Sequence, residues 1–276
     1  VGRVQAALPP NVNITVVPDG ALHRLPFAAL RDRRAGGYLI ESHAVTVVPS
    51  ATLLARQLRH ARPLRPPVTV FAVTDPVPTA GLPALPGSAR EGQSIARLYA
   101  AAEVVSRERA TKATFLLAAP KADVIHFAGH AVANPRYPLM AHLQFSAESG
   151  VSLAPTLDAT EISGMRLERT MLVVLAACTT GGGQVRRGEG VLSLARPFLI
   201  AGAPAVVATL WDIDDAASAV FLSHFHEQFV HTRDAAVALR EAQRRAAPLM
   251  RPSHWAAFIV VGQSSGGGSR RTSDDE

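Results

Sequence analysis

Two residues of this chain have the types and the setting that nucleophilic catalysis requires. Cys178 is the one cysteine among 276 residues, and it follows the apolar run Met171-Leu172-Val173-Val174-Leu175-Ala176-Ala177. His130 follows a second apolar run, Val124-Ile125-His126-Phe127-Ala128-Gly129. A thiol becomes a strong nucleophile as its thiolate, which a nearby imidazole promotes by taking the proton or pairing with the anion. Gly129 and Ala131 keep the backbone beside His130 open. The glycines at 181–183 let the chain turn sharply past Cys178, leaving backbone N–H groups to face a developing oxyanion. A free cysteine also packs well as a small buried hydrophobe, and a loop histidine can be satisfied by backbone groups. Their joint placement at the ends of apolar runs, with small residues around each, favours catalysis. His126 and His130 also form His-x-x-x-His. Here, however, the pair sits on a strand and its turn, and no carboxylate or third histidine falls at a ligand spacing. His126 is read as a structural residue within or beside the sheet, with no metal and no other cofactor expected.

For Cys178 and His130 to meet, the two runs must be neighbouring parallel strands. The separation, 178 − 130 = 48 residues, has room for one crossover connection. Other segments supply the rest of such a sheet. Strand-like runs occupy 12–17, 43–48, 68–73, 203–210 and 258–261. Helical spacing occupies 51–60, 88–101, 111–119, 190–201, 215–230 and 234–246. Pro197, inside the 190–201 stripe, predicts a kink or a shortened first part. Strands without polar alternation, each joined through a helix, predict an α/β fold with a mostly parallel sheet covered on both faces. Reactive groups in such sheets collect beyond the carboxyl ends of the strands. A proline-rich connector at 62–67 divides an N-terminal part, 1–67, from a core, 68–262, and 263–276 reads as a disordered tail.

The composition narrows the classes of function. With 48% hydrophobic and 18% charged residues and a mean hydropathy of +0.15, the chain suits a globular core. No apolar run reaches the roughly 18–20 residues that span a bilayer, and the first residues do not resemble a signal peptide. The expectation is a cytoplasmic protein without a membrane partner. A single cysteine excludes an internal disulfide. The net charge of +6 comes almost wholly from arginine, Lys112 and Lys121 being the only lysines. These charges are scattered rather than gathered on one face, so no nucleic acid is expected to bind directly. The chain begins with valine, which suggests a part excised from something longer.

Several motifs, in order, resemble the CHAT peptidase domain, a family related to caspases and separases. They are Ile125-His126-Phe127-Ala128-Gly129-His130, Leu175-Ala176-Ala177-Cys178-Thr179-Thr180-Gly181, Gly188-Glu189-Gly190, Ala201-Gly202-Ala203, Leu210-Trp211-Asp212-Ile213-Asp214-Asp215 and Trp255-Ala256-Ala257-Phe258. Flanking them are Val17-Pro18-Asp19-Gly20, Leu25-Pro26-Phe27-Ala28-Ala29-Leu30, Val48-Pro49-Ser50-Ala51 and Leu85-Pro86-Gly87-Ser88-Ala89. The likeness runs from about residue 16 to 262, and the His-to-Cys spacing is close to the roughly 50 residues of caspases.

The resemblance implies a caspase-like sheet preceded by a small N-terminal α/β extension, and a cysteine endopeptidase with Cys178 as nucleophile and His130 as base. It implies an oxyanion held by the backbone N–H of Cys178 and one from Gly129 or Ala131. Many members have glycine where Ala131 stands, and a helix usually free of proline carries Pro197. By analogy with separases, Asp212 or Asp215 would line an S1 pocket for Arg or Lys, with Trp211 as a wall. The competing reading is that Asp214 or Asp215 caps the following helix. The loop 181–190, with Arg186-Arg187, is expected to be exposed and mobile, and flexibility explains it better than self-cleavage. Glu189 fixes the loop or helix start. The expected partners are a protein substrate and a regulatory domain, such as tetratricopeptide repeats. Two readings compete with the peptidase: a catalytically silent interaction or scaffold module of the same fold, and a cysteine-dependent hydrolase or acyltransferase acting on small molecules.

Overall fold

The apolar runs pair into one sheet whose two sides are both covered. The structure, a computed structural model, describes residues 9, 12–31, 36–59, 64, 66–78, 81–132, 137–148, 150, 155–177 and 190–263. Its strands are β1 (Ile14–Val16), β2 (Val45–Val47), β3 (Thr69–Pro76), β4 (Ala101–Arg107), β5 (Val124–Ala128), β6 (Ala131–Val132), β7 (His142–Gln144), β8 (Thr156–Asp158), β9 (Leu172–Ala176), β10 (Ala205–Thr209) and β11 (Phe258–Gly262). Its α-helices are α1 (Ala51–Arg59), α2 (Pro86–Leu98), α3 (Lys112–Ala118), α4 (Ala159–Gly164), α5 (Gly190–Ile200), α6 (Asp215–Thr232), α7 (Ala235–Ala246) and α8 (Pro252–Trp255).

Eight strands form the main sheet in the order β1-β2-β11-β10-β9-β5-β3-β4, and β6, β7 and β8 form a small antiparallel sheet. From β4 to β10 neighbouring strands are parallel. The direction reverses once, where β10 meets β11, and β11, β2 and β1 are parallel again. The N-terminal strands β1 and β2 extend the sheet through the pairing of β2 with β11. Along each strand successive side chains face opposite ways. Ile125 and Phe127 join Phe115 of α3, Ile162 of α4 and Phe198 of α5 on one face. Val124 and Val174 join Ile95 of α2 and Phe221, Phe225 and Phe229 of α6 on the other. Each such fully buried side chain contributes about 1.5–3 kcal/mol.

Three elements differ from the sequence reading. The helix expected over 88–101 begins at Pro86 and stops at Leu98, and Ala101 starts the edge strand β4. An edge strand can leave one side to solvent, so Glu103 is exposed while Val105 is buried, and no continuous apolar run marks it. The small sheet β6-β7-β8 consists of two- and three-residue strands, too short for a periodic signal. Helix α5 runs through Pro197 to Ile200. Proline removes one backbone bond there, but Leu194, Ala195 and Phe198 stay buried on both sides of it.

One row of polar side chains crosses the second face. Glu91 Oε2 lies 2.9 Å from His126 Nε2, His126 Nδ1 lies 3.1 Å from His226 Nε2, and His226 Nδ1 lies 2.9 Å from the Tyr99 hydroxyl. His126 is wholly buried, and the other three are nearly so. Burial pushes His126 down to about 3 and His226 well below its ordinary value. It also raises the Glu91 carboxyl well above its usual range, helped by the charge of Asp215. The Glu91–His126 contact is therefore a hydrogen bond between neutral groups, not an ion pair, because both charged forms would be stripped of water. A protonated Glu91 donates to His126 Nε2, and the row then runs donor to acceptor as far as Tyr99.

The sign of the pH dependence follows. Glu91 keeps its proton in the fold above the pH at which it ionises in the unfolded chain. Its contribution is thus present below the ordinary carboxyl value and is lost as pH rises toward the folded value. Glu91→Gln, which keeps an N–H donor for His126, should gain stability relative to the parent as pH rises from 4 to 7. Urea unfolding at those two pH values checks this, and a variant that loses ground toward pH 7 would show an ion pair instead.

Candidate active site

The carboxyl ends of β3, β5, β9 and β10 open on one edge of the sheet, and the residues singled out in the sequence follow from them. β5 and β9 pair with Ala128 opposite Ala176. His130 is two residues beyond Ala128, and in the sequence Cys178 is two residues beyond Ala176. Neighbouring strands are about 4.8 Å apart, so the connection leaving β9 starts one strand from the turn that carries His130. Cys178 itself lies outside the described residues, as do Arg186-Arg187 and Glu189 of the glycine-rich loop.

His130 is held from several directions. Its backbone carbonyl accepts the Gln144 N–H at 2.9 Å, and Ala131 pairs with Leu143, so the chain enters the small sheet directly after the histidine. The residue is 3% exposed, and its Nε2 lies 2.9 Å from the Pro83 carbonyl oxygen. A carbonyl can only accept, so Nε2 carries a proton, which in the neutral tautomer leaves Nδ1 as the lone-pair acceptor. In that tautomer Nδ1 is the nitrogen able to take up a proton. Gly129, between the strand and His130, is tightly enclosed: a Cβ there would come 3.0 Å from Phe127 Cζ and 3.0 Å from Pro76 Cγ. This glycine gives room for close approach, which Ala131 does not require.

The acidic segment after β10 divides into three roles. Leu210 N–H donates to the Ala257 carbonyl at 2.8 Å, and the Trp211 indole N–H donates to the Ser253 carbonyl at 2.7 Å. These bonds anchor the loop to α8 and the start of β11. Asp212 is exposed. Asp214 caps α6, accepting the Ala217 N–H at 3.0 Å. Asp215 instead accepts the Gly87 and Ser88 N–H groups at the start of α2, at 2.5 and 3.2 Å. The sheet order places β9 between β10, which leads to this loop, and β5, which leads to His130.

Sequence reasoning missed the supports of this edge. Pro83, Ser88 and Glu91 lie in or next to Leu85-Pro86-Gly87-Ser88-Ala89, a motif noticed without a role, and Tyr99 and His226 carried no signal at all. His126 uses both ring nitrogens on Glu91 and His226. Among the described residues no group of three or more His, Cys, Asp or Glu could hold a metal ion. No described helix is long and apolar enough to cross a membrane.

A mostly parallel sheet covered by helices on both faces, with the His130 turn beyond the carboxyl end of an inner strand, is a caspase-like α/β fold. Yeast (Saccharomyces cerevisiae) separase, in its complex with securin, superposes with a TM-score of 0.56 at 16% identity, over 88% of this chain and 15% of that one. The Arg-specific cysteine proteinase gingipain R superposes with a TM-score of 0.51 at 11% identity, over 81% of this chain and 54% of that one. The chain belongs to the CHAT domain family, whose pattern it matches over residues 2–263. Tetratricopeptide repeat protein 28 of Homo sapiens is 26% identical over 90% of this chain, as is its Mus musculus counterpart. The chain spans only 12% of the length of these relatives.

The enclosure of Gly129 gives a test of how tightly the turn is set. Gly129→Ala should lower the unfolding free energy by about 1–3 kcal/mol through overpacking against Phe127 and Pro76. Ala131→Gly should cost no more than about 1 kcal/mol. Urea denaturation of both variants measures the contrast.

Proposed function

We propose that this chain is a cysteine endopeptidase acting through Cys178 and His130. The observation that supports it best is the His130 ring at the end of β5, its Nε2–H held by Pro83, beside the strand that leads to Cys178. In this reading Nδ1 takes the thiol proton and the Cys178 sulfur attacks a peptide carbonyl. The resulting oxyanion accepts backbone N–H bonds from Cys178 and from Gly129 or Ala131. When the C–N bond breaks, the imidazolium returns its proton to the leaving amine. Water then attacks the thioester, giving up its proton to His130, and the thiol leaves. No cofactor enters.

The specificity reading assigns Trp211, Asp212 and Asp215 to an S1 pocket for Arg or Lys. Asp212 is the exposed carboxylate of the three residues. Asp215, held by two amides, adds negative charge from behind, and Trp211 supplies a wall. The name of gingipain R, an Arg-specific proteinase of the same fold, agrees with a basic P1. Regulation by helical repeats in the same chain or complex is supported by the tetratricopeptide repeat relatives, and a protein partner of the separase–securin kind would act at the same level.

Cys178→Ala should abolish cleavage of a P1-scanning peptide library, a loss on the order of 10⁴-fold or more. With the parent protein, Arg and Lys should lead at P1. Asp212→Asn should lower kcat/KM for those peptides by about 10–100-fold, the value of a lost charged hydrogen bond. Cleavage surviving in Cys178→Ala defeats the nucleophile assignment, and an acidic or apolar P1 preference defeats the basic pocket.

A further inference from the structure

The first turn of α2 takes its cap from a distant part of the chain. Its own N-cap residue, Leu85, makes no side-chain hydrogen bond. The amides of Gly87 and Ser88 turn instead to Asp215, 128 and 127 residues further on. Gly87 is the residue this contact demands, because a Cβ would come 2.4 Å from the Asp215 carbonyl oxygen and 2.7 Å from its Cγ. The Ser88 hydroxyl then fastens the helix to two strand ends. It donates to the Ala128 carbonyl at 2.6 Å and accepts the Asp75 N–H at 2.7 Å. Asp75 has a φ of 45°, a left-handed conformation that a non-glycine residue keeps only where its surroundings hold it. Ala128 is the last residue of β5, two before His130. Pro83, whose carbonyl takes the His130 Nε2–H, is three residues before the start of α2.

Resting on the Cys178–His130 reading, we propose that Asp215 and Ser88 are positioning residues for His130. They fix α2 against the ends of β3 and β5, and that placement puts the Pro83 carbonyl where the imidazole meets it. The acidic loop and the catalytic base thus share one anchor. Asp215 acts through the backbone of Gly87 and Ser88, and Ser88 through Ala128, so neither needs to touch substrate. Two neighbouring aspartates give an internal comparison: Asp214 caps its own helix, whereas Asp215 caps the helix beside the base.

The single cysteine makes alkylation by iodoacetamide a report on one site. Its rate is followed against pH in the parent chain and in His130→Ala, Ser88→Ala, Asp215→Asn and Asp214→Ala, with a urea midpoint for each. An imidazole-assisted thiol reacts well below the ordinary thiol value of about 8.5. Ser88→Ala and Asp215→Asn are expected to slow alkylation at pH 6.5 by about tenfold and to move the inflection toward that of a free thiol. Asp214→Ala should lower the urea midpoint and keep the parent profile. If Ser88→Ala does not fold, the half-buried Asp215→Asn carries the comparison. Parent-like profiles in the folded Ser88 and Asp215 variants, or an equal shift in Asp214→Ala, overturn the inference while leaving the dyad standing. A profile unchanged by His130→Ala overturns the dyad, and this inference with it.

Discussion

The ladder of backbone bonds between β5 and β9 is the constraint on which the candidate site depends. Paired with Ala128 opposite Ala176, the strands bring His130 and the connection to Cys178 out at one level. A slip of one residue would turn His126 toward the phenylalanines of the other face and carry His130 away from Pro83. Covering the sheet on both sides makes such a slip costly, because every residue of β5 is buried. The precision of the edge is therefore inherited from packing far behind it.

Two histidines four residues apart on β5 and its turn show how location decides chemistry. His126 is sealed in the interior, where burial keeps it neutral and both ring nitrogens are occupied. His130 lies beyond the last paired residue, with one nitrogen held by a backbone carbonyl. The same side chain is in one case a bridge between helices and in the other a ring oriented by a single backbone carbonyl. The motif Ile125-His126-Phe127-Ala128-Gly129-His130 thus combines a structural residue, an aromatic of the opposite core, a tight glycine and the candidate site histidine within six positions.

Much of this was legible in the sequence because doubly covered strands read as unbroken apolar runs and helices as stripes. Small residues around His130 marked its turn before any geometry was known. The edge strand β4 escaped because it lies at the end of the sheet and alternates like a helix tail. The two aspartates at 214 and 215 could not be told apart, since one serves the adjacent helix and the other a helix more than a hundred residues earlier. Long-range polar partners of this kind leave no periodic trace. For the same reason Glu91, Tyr99 and His226 could not be joined to His126 from spacing alone.

That row has a consequence for how sequences of this fold diverge. Each of its four members satisfies a buried group on the next, and removing one leaves a polar atom stranded away from water, a loss of about 1–3 kcal/mol. Replacing all four by apolar side chains of similar volume removes these donors and acceptors together. Substitution at these sites is therefore epistatic. Glu91, Tyr99, His126 and His226, drawn from α2, the segment after it, β5 and α6, are coupled: the cost of changing one depends on what stands at the other three.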